Sequence, residues 1–165
     1  MNWLLVLFII ILIGMSTYPI MMLAPTKRDK ERILLRKAVM AAGIGIEVRN
    51  PYPLLPEKLQ NQYDRLKQTV GYSLSCPRSV LNQNYIAVRS NQPNEWFWIN
   101  GKRPPTELMQ TMLDHYRQLP DYCLAVEQGQ HASVIFTREN FSVEKLDSLL
   151  ETLTKLNKLI CKQLF

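Results

Sequence analysis

The chain opens on one long apolar run and then changes rhythm several times. Residues 3–24, WLLVLFIIILIGMSTYPIMMLA, hold 22 positions without a charged side chain. At about 1.5 Å per helical residue the run spans roughly 33 Å, matching a bilayer hydrocarbon core of about 30 Å. Pro19 removes one helical hydrogen bond, and Ser16 and Thr17 are placed to satisfy the freed carbonyls. A helix is predicted next, from Thr26 as N-cap to Ala42, with Gly43 as the residue that ends it. IGIEV (44–48) reads as a short strand, and NPYPLLP (50–56), with three prolines, as a loop. Leu59, Tyr63, Leu66 and Val70 recur at helical spacing and predict a helix through EKLQNQYDRLKQTV.

Residues 71–100 switch to short runs rich in aromatic and branched side chains: GYSLS (71–75), NYIAVRS (84–90) and EWFWIN (95–100). NQPN (91–94) between the last two predicts a hairpin. Along EWFWIN, Trp96 and Trp98 point to one face and Phe97 and Ile99 to the other. Such a strand is either covered on both sides or presents a binding surface. TELMQTMLDHYRQL carries Leu108, Met109, Met112, Leu113 and Tyr116 as an amphipathic stripe, with His115 at its boundary. A second hairpin is predicted over 121–140, with Tyr122, Leu124 and Val126 alternating before a QG turn and Ala132, Val134 and Phe136 after it. The strongest helical pattern comes last: Leu146, Leu149, Leu150, Leu153, Leu156 and Ile160, with Ser142 as N-cap and Phe141 and Leu146 as a hydrophobic staple. The order predicts an N-terminal transmembrane helix followed by a small α+β domain with a mainly antiparallel sheet covered by helices. The expected divisions are an anchor over 1–25, a basic juxtamembrane helix over 26–43 and a domain over 44–165.

Charge changes this picture once it is located. The net charge is +6 over 165 residues, a value that suggests nucleic acid until its distribution is seen. Residues 27–37 hold six basic and two acidic side chains, whereas residues 38–165 hold fourteen and twelve and residues 1–26 none. The basicity is a collar beside the apolar run, and nucleic-acid binding is not expected. Only Met1 and Asn2 precede the run, and no small-residue cleavage motif follows it, so an uncleaved anchor is expected rather than a signal peptide. The positive-inside rule then places the collar and the domain in the cytoplasm of a bacterial inner membrane, with the N-terminus outside. Arg28, Arg32 and Arg36 recur every four residues and form one helical stripe, suited to anionic lipid head groups.

Candidate chemistry is sparse. Cys76, Cys123 and Cys161 are odd in number and widely spaced, so free thiols are expected rather than a disulfide framework. Neither these nor His115 and His131 match a metal motif, and no metal or cofactor is expected. Gly43 and Gly45 follow a helix rather than a strand and lack the third glycine of a dinucleotide loop. A Cys123–His131 pair across the second hairpin is the one nucleophile arrangement the spacing allows. Nothing makes a positive case for an enzyme.

The apolar span, its proline and the basic TKRDKERILLRKAVMAAGIGIEV, with a later Trp-rich strand and Leu119-Pro120, resemble uncharacterised single-pass inner-membrane proteins of gammaproteobacteria. These are sometimes named as YajC-like, after the small accessory subunit of the Sec translocon. The resemblance implies an accessory of a membrane complex, with a membrane protein as partner. The glycine-rich segment of YajC is missing after residue 43, and no functional residue is carried over. The expected function is therefore a membrane-anchored, non-catalytic interaction domain, with Trp96 and Trp98 as candidate partner contacts. The alternatives are a membrane-tethered enzyme with a spatially assembled site, or a lipid- or nucleic-acid-binding module.

Overall fold

The computed structural model describes residues 3–22, 26–92, 95–99, 101–138 and 145–161. They fall into two compact units, Met1–Ile33 and Leu34–Phe165.

In the first unit, helix α1 (Trp3–Met22) runs for 20 residues and continues through Pro19. Its described side chains are those of Trp3, Leu4 and Val6 to Gly14. Among the described residues no helix is long and apolar enough to cross a membrane. The large apolar side chains of α1 are nevertheless exposed along its described length, from 42% at Val6 to 83% at Leu4. Helix α2 (Lys27–Ala41) begins where Thr26 and Asp29 close a reciprocal cap. Asp29 N–H donates to Thr26 Oγ1 at 3.2 Å, and Asp29 Oδ2 accepts from Thr26 N at 3.0 Å and Oγ1 at 2.7 Å. Two otherwise orphaned donors are satisfied this way, as in a capping box.

Leu34 opens the second unit, which takes in the last two turns of α2. Leu35 and Val39 are buried in its core. The helix ends as predicted: Gly43 takes φ +77°, Ile44 N–H donates to Val39 O at 3.1 Å and Gly43 N–H to Met40 O at 3.0 Å. This is a Schellman closure, which needs a residue that tolerates positive φ.

Among the described residues six strands form one antiparallel sheet: β1 (Gly45–Glu47), β2 (Thr69–Ser75), β3 (Tyr85–Arg89), β4 (Trp96–Trp98), β5 (Ala125–Gln128) and β6 (Ala132–Arg138). Their order is β1-β2-β6-β5-β3-β4, which leaves β1 and β4 at the edges. The α+β class with an antiparallel sheet covered by helices is what the sequence predicts. One face packs Leu35 and Val39 of α2, Met112 and Tyr116 of α4 (Thr106–Arg117), and Leu149, Leu153 and Leu156 of α5 (Leu146–Ile160) against Tyr72, Val126 and Ile135. The opposite face packs Tyr63 and Leu66 against Val88, Ile99, Val134 and Phe136.

The second face departs from expectation. The helix predicted over 57–70 is only α3 (Glu57–Gln60), followed by a 3₁₀ stretch over Asn61–Leu66. Tyr63 leaves helical geometry at φ −118°, and Val70 already belongs to β2. Pro56 starts the segment but no side chain caps it, so the turn tightens instead of propagating. The second hairpin is present as β5 and β6, but the single face expected for Tyr122, Leu124 and Val126 is corrected: Leu124 packs on the face opposite Tyr122 and Val126. Its strands are buried on both faces, so alternation does not separate inside from outside. Ser142 and Phe141, named as cap and staple, lie outside the described residues, as do Pro93 and Asn94 of the NQPN turn.

The expectation of three free thiols is overturned. Cys76 and Cys161 form a disulfide across Cα atoms 5.8 Å apart, and Cys123 alone is free. Eighty-five residues separate the two cysteines, but the chain folds the end of α5 back onto the end of β2. Asn157 Nδ2 donates to Ser75 O at 2.9 Å, Val80 N–H donates to Ile160 O at 2.7 Å, and Ser79 bridges Cys161.

Candidate interaction surface at the β4 edge

β4 holds three residues, Trp96, Phe97 and Trp98, and all are half-buried. It pairs with β3 in the register Arg89↔Trp96, Val88↔Phe97 and Ala87↔Trp98. The face assignment read from the sequence holds: both indoles pack toward α4, whereas Phe97 and Ile99 pack on the opposite side of the sheet. Tyr116 is the common neighbour, with its ring 5.3 Å from that of Trp96 and 5.8 Å from that of Trp98. Tyr85 meets Trp98 edge-on at 6.5 Å, and Tyr63 meets Phe97 at 5.3 Å. These are the tilted and edge contacts that ring quadrupoles favour.

The sequence reading missed Arg89, which fixes this surface from beneath. Its side chain is only 9% exposed, and its guanidinium lies 5.4 Å from the centre of the Trp96 ring. Nη1 donates to Pro120 O at 2.9 Å and Nη2 to Leu119 O at 2.8 Å, with Asp121 Oδ1 3.2 Å away. One cation thus ties the strand to the loop after α4 and supports the indole by a cation–π contact. A basic residue at the end of an otherwise apolar strand was the available signal.

Two features leave this surface chemically incomplete. The indole nitrogens of Trp96 and Trp98 are buried without a hydrogen-bond partner among the described residues. An unsatisfied buried donor costs about 1–3 kcal/mol. Beside Trp96 a half-open hollow of about 220 Å³ is lined by Glu95, Leu113 and Arg117 as well as the indole. An apolar floor between one acidic and one basic side chain suits a peptide segment better than a small apolar ligand.

The other candidates separate. Arg28, Arg32 and Arg36 are all exposed on α2. Cys123 is wholly buried, and burial pushes its thiol up to about 12. His115 and His131 are exposed, so the proposed thiol–imidazole arrangement lacks an accessible nucleophile. Among the described residues no group of three or more His, Cys, Asp or Glu side chains could hold a metal.

A buried carboxylate was also missed. Glu127 on β5 is 2% exposed and accepts from Asn84 Nδ2 at 2.8 Å. Its Oε2 lies 3.0 Å from Arg49 Nη2, a charge contact without hydrogen-bond alignment. Arg49 also donates to Glu47 at 2.5 Å, so the cluster joins the end of β1 to β5. Two carboxylates sharing one guanidinium read as a structural ion-pair cluster.

No protein-family model and no curated protein matches the chain. Among solved structures, the crystal structure of the mycobacterial trehalose monomycolate transport factor A, TtfA, is similar with a TM-score of 0.47 and 9% sequence identity. The likeness covers 79% of this chain and 92% of that one. At this level it carries no functional reading.

Proposed function

We propose that this protein is a single-pass membrane protein with a non-catalytic interaction domain on the cytoplasmic side, an accessory of a membrane complex. The observation that carries the reading is α1, whose described side chains are apolar and exposed along the helix. Such a helix needs an apolar solvent, and the 22 uncharged residues from Trp3 to Ala24 match a bilayer core. The collar sets the orientation and brings Arg28, Arg32 and Arg36 to the level of anionic head groups, each worth about 1 kcal/mol there. Trp96, Trp98 and the adjoining hollow supply the contact for a membrane protein partner.

The Cys76–Cys161 disulfide pulls against this orientation, because such bonds persist mainly in oxidising compartments. Charge acts during insertion and the disulfide forms only afterwards, so orientation follows the collar. The test uses the full chain in native membranes. A reporter active only in the cytoplasm should work when fused after Phe165. An active periplasmic reporter overturns the orientation. In the same membranes, crosslinking should capture a partner with wild type and lose it with Trp96→Ala/Trp98→Ala while circular dichroism stays native. Capture unchanged by the double substitution removes the tryptophans from the contact. For the collar, salt-sensitive association with anionic vesicles should fall at least tenfold in the Arg28→Gln/Arg32→Gln/Arg36→Gln variant of fragment 26–165; equal association removes the lipid contact.

A further inference from the structure

We propose that the free edge of β4 pairs with β4 of a second copy of this chain, antiparallel and centred on Phe97. The inference rests on the backbone of β4 and is independent of the membrane reading.

Ser90 N–H donates to Glu95 O at 2.7 Å and Ile99 N–H to Ile86 O at 3.0 Å. With the register Val88↔Phe97, positions 95, 97 and 99 therefore direct their peptide groups toward β3. The alternation of an antiparallel ladder turns the N–H and C=O of Trp96 and Trp98 the other way, away from the sheet. Among the described residues no strand lies beyond β4 in the sheet order. Two donors and two acceptors are thus presented along a short edge, a template for strand addition.

The spacing of those groups selects the occupant. In an antiparallel pair centred on Phe97, Trp96 of one copy stands opposite Trp98 of the other. Both are outward-directed positions, so each pair exchanges two hydrogen bonds and the ladder closes on itself. The same register places an indole directly opposite an indole on the α4 side, where cross-strand aromatic pairs are favourable. Charge does not oppose it: exposed Glu95 falls opposite the uncharged Ile99 of the second copy. The arrangement is isologous, as a two-fold dimer requires. Three residues give a small contact, so the dimer is weak in dilute solution and strengthened wherever the chains are concentrated.

The test uses the full chain in detergent micelles, read by amide hydrogen exchange over a hundredfold range of protein concentration. Exchange at the Trp96 and Trp98 amides should slow at least tenfold as concentration rises, while the Phe97 amide, already bonded to β3, stays unchanged. In a second measurement Phe97→Cys is compared with Glu95→Cys under mild oxidation. Cysteines at 97 would face each other across a Cα separation of about 4.5 Å, within disulfide reach, whereas those at 95 would be offset by about 13 Å. A covalent dimer several-fold stronger for Phe97→Cys supports the proposal, with the native cysteines common to both variants. Concentration-independent exchange at Trp96 and Trp98 overturns it. So does equal crosslinking at the two positions, or edge protection that appears only when a different protein is added.

Discussion

The two faces of the sheet are built from the same strands but closed by different means. On one face three helices of 12 to 15 residues, α2, α4 and α5, supply repeated apolar stripes. Polar groups there are joined into a chain: Tyr116 donates to Gln128 Oε1 at 2.7 Å, and Gln128 Nε2 donates to Leu156 O at 2.8 Å. On the other face the cover is α3 with the 3₁₀ stretches Tyr52–Leu54 and Asn61–Leu66, each six residues or fewer. Arg65 completes that cover by donating to Arg89 O at 2.7 Å and Ser90 O at 3.1 Å. A helix held by several buried residues resists local collapse, whereas a single tight turn can settle toward a gap. The first face should therefore be the more rigid.

Matched truncations break or sharpen this contrast most directly. Leu153 in α5 and Leu66 in the 3₁₀ stretch are both fully buried, so they bury similar apolar surface. Leu153→Ala should cost about 4 kcal/mol, near the upper part of the usual range, because its surroundings relax little. Leu66→Ala should cost about 2 kcal/mol, because the turn above it can move inward. Urea midpoints with unchanged m-values would measure both. Equal losses would mean that the short cover is as stiff as the helices.

The same contrast explains what could be read from residues alone. α5 was legible because Leu149, Leu153, Leu156 and Ile160 repeat over several turns, and all four are buried. α2 was legible through its ends, where Thr26 and Gly43 do what their side chains and backbone freedom favour. The segment 57–70 failed because Leu59, Tyr63, Leu66 and Val70 fit a helical period although Val70 already lies in β2, so four matches did not separate a helix from a 3₁₀ stretch leading into a strand. The disulfide was invisible because an 85-residue separation says nothing about proximity before the fold is known. At the candidate site, the strand and its two faces were legible from alternation in EWFWIN. The support from Arg89 was not, since its partners Leu119 and Pro120 come from a distant loop.

The helix-covered face also carries two buried acidic protons, which makes it the face that alkali should attack. Cys123 is held protonated by burial, up to about 12 against an ordinary value of 9.0. Tyr116 is likewise raised well above its ordinary 10.0 by complete burial. In both cases the folded value exceeds the unfolded one, so the unfolded chain releases protons first. Their stabilising contribution is fully present below about pH 9 and is lost as pH rises toward the folded values. Each group contributes a slope of up to about 1.4 kcal/mol per pH unit inside its window. Between pH 9 and 10 the thiol acts with little help from the phenol, so Cys123→Ala isolates it. Wild type should lose about 1 kcal/mol more than Cys123→Ala across that unit, read from urea midpoints at each pH. Parallel curves for the two proteins would show that the thiol ionises as easily in the fold as in the open chain. The helix-covered face would then admit water at its centre.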